Sequence, residues 1–534
     1  MELNVTDIIS RVDKLISLNS TWKTHVDECT YFVLPRKYFD RTPGSMLPKD
    51  LYDSTGMQSL PIFAAGLHGY LTNPASKWFS LRTRDKKLMK NQSIKIWLQD
   101  AQDKMYDVIN SSNFSQQVHE FYLDLGCAGT AILYEEEDEK EDIRFYCREF
   151  GEIVFCEDDK GRVDTVFRTF KLTARQAYQR WGKDVCEKVK KDISLKKFEN
   201  KREYIHAVFP RVERDRRKKD KKNMSIASLF IAKDSKKLLT EGGYREFPFF
   251  VTRFTKSSGE VNGYSPTMVA LPDLRMLNKM SETTLIGAQK SVDPSIILPH
   301  DGFILPFRTT PGSINFKISG GPEDKVETLG TQGNISIGIE MENIRRESIK
   351  KTFFVDMFLM LQDGVEKTAY EVSEKVAERM LLMGPLLGRL SSELLDPVIY
   401  RTFMILLRKG RFGDPKLIPK ELQGQDFVIE YVSPLARAQK IQEVQAINNM
   451  VAMIGNLGKV DQTVLDNVDF DETAHILADL YNIPPRMMKD KKIVAQDRAT
   501  RLAQQQKDQQ QIETGEATKN LKTGAEAVNI LQKG

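Results

Sequence analysis

Between about Gly333 and Gly410 the hydrophobic positions keep a regular beat. Ile337, Met341, Ile344, Ser348, Thr352, Val355 and Leu359 recur every three or four residues, the spacing of one helix face. At about 1.5 Å per residue this predicts a helix roughly 30 Å long, although Ile335–Ile339 leading into it suits an extended chain equally well. A second stripe, Val372, Val376, Met380, Met383, Leu387, Leu390, Leu394 and Val398, continues into Phe403–Leu407 and, unbroken, would span about 50 Å. Most helices have three to four turns, so two such elements in succession ask for a mechanical reason. Gly384-Pro385 and Pro397 interrupt the second stripe, which predicts a kink near each, because proline removes a backbone hydrogen bond and clashes with the preceding turn.

Elsewhere the pattern alternates between helix and strand periods. Residues 4–34 read as a helix capped by Thr6 or Asp7, Gly56–Leu71 as a helix stopped by Asn73-Pro74, and Trp78–Leu81 as a strand with Trp78 a core anchor. Helices over 90–110 and 114–125 precede four short strands between Thr130 and Thr169, with Asp158–Gly161 as the last hairpin turn. A Thr173-capped helix to Trp181, strands at 204–209, 225–233 and 247–253, and a helix from Pro266 to about Lys290 follow. Residues 291–333 are rich in proline and glycine, with brief strands predicted at 296–298, 303–305 and 314–318. Two long helices joined by a compact β excursion form an arm with too much exposed surface to stand alone, so oligomerisation is expected. Beyond Gly410 a strand at 427–431, helices over 434–457 and 469–480, and a glutamine-rich helix over 492–507 lead to a polar tail. The fold class is α+β.

Length and composition narrow the choice. A chain of 534 residues exceeds one hydrophobic core and predicts two to four domains. With 79 basic against 74 acidic residues the formal charge is +5, too balanced for tight, sequence-specific nucleic-acid binding. A protein that DNA slides past has no need of a basic wall. Five widely spaced cysteines predict reduced thiols and intracellular assembly. The N-terminus has no signal-peptide pattern, and no membrane-spanning stretch is expected.

Motifs for chemistry are missing. There is no GxxxxGK[ST], HExxH, GxSxG or CxxC, so no catalytic, cofactor or metal site is assigned and the chain is not expected to be an enzyme. Asp53-Ser-Thr-Gly56 has the letters of an aspartic protease motif but precedes a helix, and the bland role, Ser54 or Thr55 as cap, is favoured. The acidic run Glu135–Asp142 reads as a solvated hairpin tip rather than a cation or nuclease site. Arg211–Lys222, with eight basic and three acidic residues in twelve, suits contact with a phosphate backbone, yet a solvated hairpin or loop is the favoured reading.

Several strings, taken together and in order, resemble the head-to-tail connector, or portal, family of short-tailed (podovirus, T7-like) bacteriophages. They are Asp53–Gly56, Leu71–Pro74 with Trp78-Phe79, Ser112–Phe114, Gly129-Thr130, His206–Arg211, Gly384–Arg389, Glu393–Pro397, Glu430–Gln439 and Ile483-Pro484. Glu430–Gln439, with Glu430, Tyr431, Ser433, Pro434 and Arg437, is the most specific. The resemblance implies a ring, most often a 12-mer, at the portal vertex of the virion, assembled in the host cytoplasm, with double-stranded DNA passing through its channel during packaging and ejection. It implies docking to the large terminase subunit and a tail adaptor, contact with capsid and scaffold or internal core proteins, and no membrane partner. It further implies a wing over 1–265, stem helices over 266–290 and 337–361 flanking a clip over 291–336, a tunnel loop over 362–369, a wing with a long kinked helix over 370–468, and a crown with a flexible tail over 469–534. Gln362, Asp363, Lys367 and Tyr370 would then belong to the DNA channel loop, and Gly384 and Pro385 to the kink. Thr368-Ala-Tyr-Glu371 departs from the family's usual Thr-Ala-Thr-Glu at Tyr370. The rival expectation is an oligomeric structural or adaptor protein that does not enclose DNA.

Overall fold

The structure, a computed structural model, describes residues 4–37, 46–85, 91–215, 220–294, 296–300, 312–318, 327–328, 335–359, 383–413, 427–431, 434–457, 462–481, 485–489 and 493–507, with residues 44, 88, 217, 218, 308, 310, 419 and 483. It divides into two units.

The larger unit begins with two helices in place of the single one expected, α1 (Val5–Leu18) and α2 (Ser20–Val33), parted at Asn19, and the first is capped by Asn4 rather than by Thr6 or Asp7. Helix α3 (Thr55–Leu71) follows; strand β1 (Phe79–Thr83) and helix α4 (Gln92–Ser111) straddle the division between the units. Helix α5 (Phe114–Ala128) ends on Gly129 at φ +74°, the left-handed conformation that glycine adopts without penalty. Strands β2 (Thr130–Asp138), β3 (Asp142–Arg148), β4 (Ile153–Glu157) and β5 (Val163–Thr173) then appear where the alternation predicts them. Helix α6 (Ala174–Trp181) carries a capping box between Thr173 and Gln176, and the charged stretch after it contains a further helix, α7 (Glu187–Ser194). Strands β6 (Lys201–Pro210), β7 (Ile226–Ala232), β8 (Lys237–Tyr244) and β9 (Phe249–Arg253) complete two antiparallel sheets, ordered β3-β2-β9 and β4-β5-β6-β7-β8.

Alternation along the five-stranded sheet decides how it packs. Ile205 and Ala207 point to one face, where Ile8, Ile9 and Val12 of α1 cover them. Val208 points to the other and meets Ile132, Tyr134, Phe249 and Val251 of the smaller sheet. Tyr204, on that same face, packs with Ala177, Trp181 and Val189 of α6 and α7. Trp78 is the core anchor expected of it: it stacks on Phe114 at 6.2 Å, and its backbone N–H donates to the Tyr106 hydroxyl at 2.7 Å.

Two long helices follow, α8 (Pro266–Val292) and α9 (Ile335–Thr352), the latter helical from Ile335 onward. The single helix expected over 337–361 is broken at Phe353-Phe354: Phe354 takes φ +57°, and the chain restarts as α10 (Val355–Leu359). Between α8 and α9, β10 (Ile296–His300) lies parallel to β11 (Ile314–Ile318) and antiparallel to β12 (Glu327–Thr328). The strand expected at 303–305 lies outside the described residues, as does the predicted helix up to Met380. Helix Gly384–Leu390, one wider π-type turn at Ser391–Leu395, and helix Asp396–Arg408 close this unit's main elements.

In the smaller unit β1 pairs with β13 (Phe427–Tyr431). It also holds most of helix Pro434–Leu457, helix Phe470–Leu480 and a helix over 493–507. Arg486 ties to Asp100 at 2.8 Å and Arg498 to Asp471 at 2.7 Å.

Candidate functional site: a helix pair with an exposed apolar stripe

Helix α8 starts on a strong signal: the Ser265 hydroxyl accepts the Met268 N–H at 2.9 Å, and Pro266 occupies the first turn. Its first half is anchored through Met268, Ala270, Leu271, Leu274 and Leu277. Past Leu277 no α8 residue is buried, and Leu285, Ile286 and Val292 face outward. Helix α9 mirrors this. Ile349 and the following Phe353 are fully buried, whereas Ile337, Ile339, Met341 and Ile344 are exposed, Ile344 by 59%.

Contacts between the helices run in opposite chain directions. Asp273 meets Arg345 at 3.1 Å and Ser348 at 2.8 Å, and Ser281 meets Glu342 at 3.3 Å. A Cβ on Gly338 would sit 3.3 Å from the Thr284 hydroxyl. Glu342, itself buried, receives Arg346 at 2.7 Å, and the same guanidinium reaches Asp53 at 3.0 Å. Burial opposes the Arg346 charge, and Asp53 and Glu342 outweigh it, holding its pKa above the ordinary value. Asp273, Glu342, Arg345 and Arg346 thus pair between the helices and with Asp53, while Leu285, Ile286, Ile337, Met341 and Ile344 are exposed beside charged residues such as Lys279, Glu340 and Glu347. A helix usually buries its apolar stripe; here the stripe is covered near Leu277 and Ile349 and left exposed on the far halves of both helices.

Asp53 does two jobs here. One carboxylate oxygen accepts the Thr55 N–H at 2.8 Å and opens α3, and the other takes Arg346. Ser54 holds the cap position without a side-chain cap bond, so Asp53 replaces the expected Ser54 or Thr55. Two glycines let α3 come close: a Cβ on Gly56 would lie 2.8 Å from Leu274 of α8, and one on Gly66 would run into the Phe358 ring of α10.

The acidic run is a solvated tip only in part: Glu137, Glu139 and Glu141 are exposed, but Glu135 and Asp142 are buried. Glu135 is fully buried, 3.6 Å from the equally buried Arg401, and accepts the Thr402 hydroxyl at 2.9 Å. Arg408 reaches Glu246 at 2.7 Å and Glu137 at 2.8 Å, while Lys409 and Arg411 converge on Asp142 at 3.3 and 3.0 Å. The basic side of helix Asp396–Arg408 and the residues after it thus clamps the hairpin. In the sequence Arg401 is hidden within an apolar stripe, and its position between Val398 and Ile405 is the one signal that marks it. Next to this clamp, Glu393 in the π-type turn accepts the Arg253 N–H at 2.8 Å and its guanidinium at 2.5 Å; Glu157 bridges Arg253 to Lys256.

Of the residues singled out by sequence, Gln362, Asp363, Lys367 and Tyr370 lie outside the described residues, as does Ser433. Gly384 and Pro385 stand in the first turn of helix Gly384–Leu390, after Met383, where proline is accommodated without breaking a bond. Pro397 likewise begins helix Asp396–Arg408, and the irregularity falls between them, at Ser391–Leu395. Glu430 and Tyr431 end β13, and Pro434 and Arg437 belong to helix Pro434–Leu457.

A body of packed sheets carrying a helix pair whose far halves expose apolar residues has the features of an assembly-forming protein. Sequence comparison makes this particular. The family described as bacteriophage head to tail connecting protein matches residues 5–488. The probable portal protein of Bordetella phage BPP-1 is 31% identical over 514 residues, covering 94% of this chain and 92% of that protein. The portal protein of Salmonella phage epsilon15 is 30% identical over 533 residues, covering 97% and 95%. The chain belongs to the bacteriophage head to tail connecting, or portal, protein family. A chain from the virion of a native gene transfer agent particle superposes with a TM-score of 0.37 at 10% identity, covering 76% of this chain and 88% of that chain, and this likeness carries no weight.

Proposed function

We propose that this chain is the portal subunit of a short-tailed, T7-like phage: copies close into a ring, twelve in number, at the unique capsid vertex, and double-stranded DNA passes through the central channel. Helices α8 and α9 act as the stem, residues 291–336 as the clip that meets the large terminase subunit and later the tail adaptor, 362–369 as the channel loop, and 469–534 as the crown. The remaining wing segments, 1–265 and 370–468, meet capsid and scaffold or internal core proteins. No catalysis is assigned to the chain; it works by geometry, as a fixed ring that other machines push DNA through.

The observation that carries the reading is the apolar stripe left exposed on the far halves of α8 and α9. Leu285, Ile286, Ile337, Met341 and Ile344 remain exposed on helices whose inward side is held by ion pairs. Covering that stripe with the next copy would bury apolar surface worth about 25 cal/mol per Å². Repeating one heterologous contact around an axis generates a ring. Electron microscopy of the purified full-length chain tests this: closed rings with a central opening are expected. Compact dimers or open filaments would remove it in favour of an oligomeric adaptor that does not enclose DNA. Ile344→Asp combined with Ile337→Asp should yield folded protomers with few rings, because a carboxylate buried at the contact has no partner.

A further inference from the structure

We infer that the hairpin joining β6 to β7 is a second, sequence-independent contact for duplex DNA. It rests on the portal reading for the presence of DNA, but not for its own geometry. The segment Arg211–Lys222 carries eight basic and three acidic residues, a surplus of five, equal to the formal net charge of the entire 534-residue chain. All the rest therefore sums to zero, and this hairpin carries a local surplus as large as the net charge of the chain.

The described residues of the hairpin, which leave out Arg216 and Lys219, are tied together by specific bonds. Arg211 is consumed as its anchor, donating to Glu241 at 2.8 Å and to the Gly242 carbonyl at 3.1 Å, while its N–H bonds the Ser225 carbonyl at 2.9 Å. Two of the acidic residues serve the turn. Asp215 accepts the Arg217 N–H at 3.0 Å, and Asp220 accepts the Asn223 amide at 2.6 Å. The Asn223 side-chain Oδ1 in turn accepts the Asp215 N–H at 3.0 Å. A Cβ on Gly243 would lie 2.5 Å from the Lys221 carbonyl, so β8 passes directly beneath the base of the hairpin. Arg214, Arg217, Lys218 and Lys221 are left exposed, and among the described residues no side chain pairs with them. Lys222 lies 3.7 Å from Glu241.

A phosphate backbone fits this surface better than a protein does. Protein partners need an apolar centre to their contact, and the hairpin offers only Val212, at 89% exposure, and the half-buried Met224 at its base. Repeating phosphates need only cations held at the surface, and each one neutralised releases counterions.

The test uses the full-length protein and a fluorescent duplex of arbitrary sequence, about 30 base pairs long, with affinity followed by anisotropy between about 50 and 200 mM salt. Replacing Arg214, Arg217, Lys218 and Lys221 together by glutamine is expected to weaken binding at least about tenfold at the low-salt end and to flatten the log–log salt slope by roughly 0.9 for each phosphate no longer neutralised. Equal substitution of Lys183, Lys188, Lys191 and Lys201, exposed at other points of the same unit, should leave both nearly unchanged. Unchanged affinity and slope in the hairpin variant overturn the inference. So does poly-glutamate competing as well as duplex at equal charge, which would make the hairpin a dock for an acidic protein. Imaging the same preparations separates the two readings: rings with DNA affinity indifferent to the hairpin sink the hairpin alone, and hairpin-dependent affinity without rings sinks the portal reading alone.

Discussion

Glu135 and Arg401 are the deepest charges in the described body, and burial governs Glu135 more than pairing does. Removal from water raises the Glu135 pKa to about 7, because Arg401 at 3.6 Å and the Thr402 hydroxyl pull it down by less than burial pushes it up. Glu135 Oε2 and Arg401 Nε each have no hydrogen-bond partner, which agrees with a pair that is close but not well joined. The folded pKa lies above the unfolded one, so the stability tied to this group is complete below about pH 4.5 and is lost as pH rises through about 7. The loss is at most about 3 kcal/mol. Glu135→Gln keeps an amide where the neutral acid would be, so its melting temperature should match that of the parent chain near pH 5 and exceed it near pH 8. Parallel melting curves across that range would contradict this. Glycines at the same scale separate conformation from space. Gly129→Ala meets both a left-handed φ and the Gly263 carbonyl, whereas Gly259→Ala meets a left-handed φ in open space. The second should cost about 1 kcal/mol and the first several times more, read from denaturant midpoints.

Among the elements, those whose period and end signals agree are the ones that sequence locates well. Helix α8 begins at Ser265-Pro266, and the Thr173 cap and the strands from Thr130 to Thr173 fall where their patterns put them. Breaks without a sequence signal are what escape. Asn19 parts α1 from α2 with no proline or glycine beside it, and Phe354 adopts a left-handed φ that its side chain disfavours. That conformation is sustained by tertiary contacts: Phe63 lies 6.5 Å from Phe354 and 6.4 Å from Phe358, and Tyr70 lies 5.7 Å from Phe358. The burial of Glu135 and Asp142 at the base of the acidic hairpin escapes for a similar reason, since their partners, Arg401 to Arg411, come from more than 260 residues away in the chain. Of the candidate site, the stripe Ile337, Met341 and Ile344 is legible as a helix face, but periodicity does not say whether such a face meets its own core or another molecule. Gly66 and Gly69, on the same helix, give a matched test of the α10 contact. Gly69 has open space around its Cβ position, so Gly69→Ala should be neutral or stabilise by up to about 1 kcal/mol. Gly66→Ala drives a methyl into the Phe358 ring; it should destabilise the fold and speed amide exchange over 355–359, and slow exchange there would refute the packing.

For the whole molecule, near-neutral charge bears on how DNA moves through a ring. A fixed cation on each phosphate adds a salt-dependent free energy that must be broken at every step of translocation, so a smooth channel favours few permanent contacts and a small number of transient ones. The proposed channel segment, Gln362–Thr368, has one lysine, Lys367, against Asp363 and Glu366, a composition suited to light contact rather than grip. Deleting Gln362–Thr368 should therefore leave ring assembly intact, since the stripe on α8 and α9 lies outside it, while altering either the amount of DNA packaged or its retention in filled heads. The measurement is the length of DNA recovered from particles assembled with the deleted chain, beside images of the isolated rings. Full-length DNA, retained normally, would show that the loop is dispensable and move the DNA-contacting role elsewhere in the ring; failure to form rings would mean that the segment is part of the subunit contact.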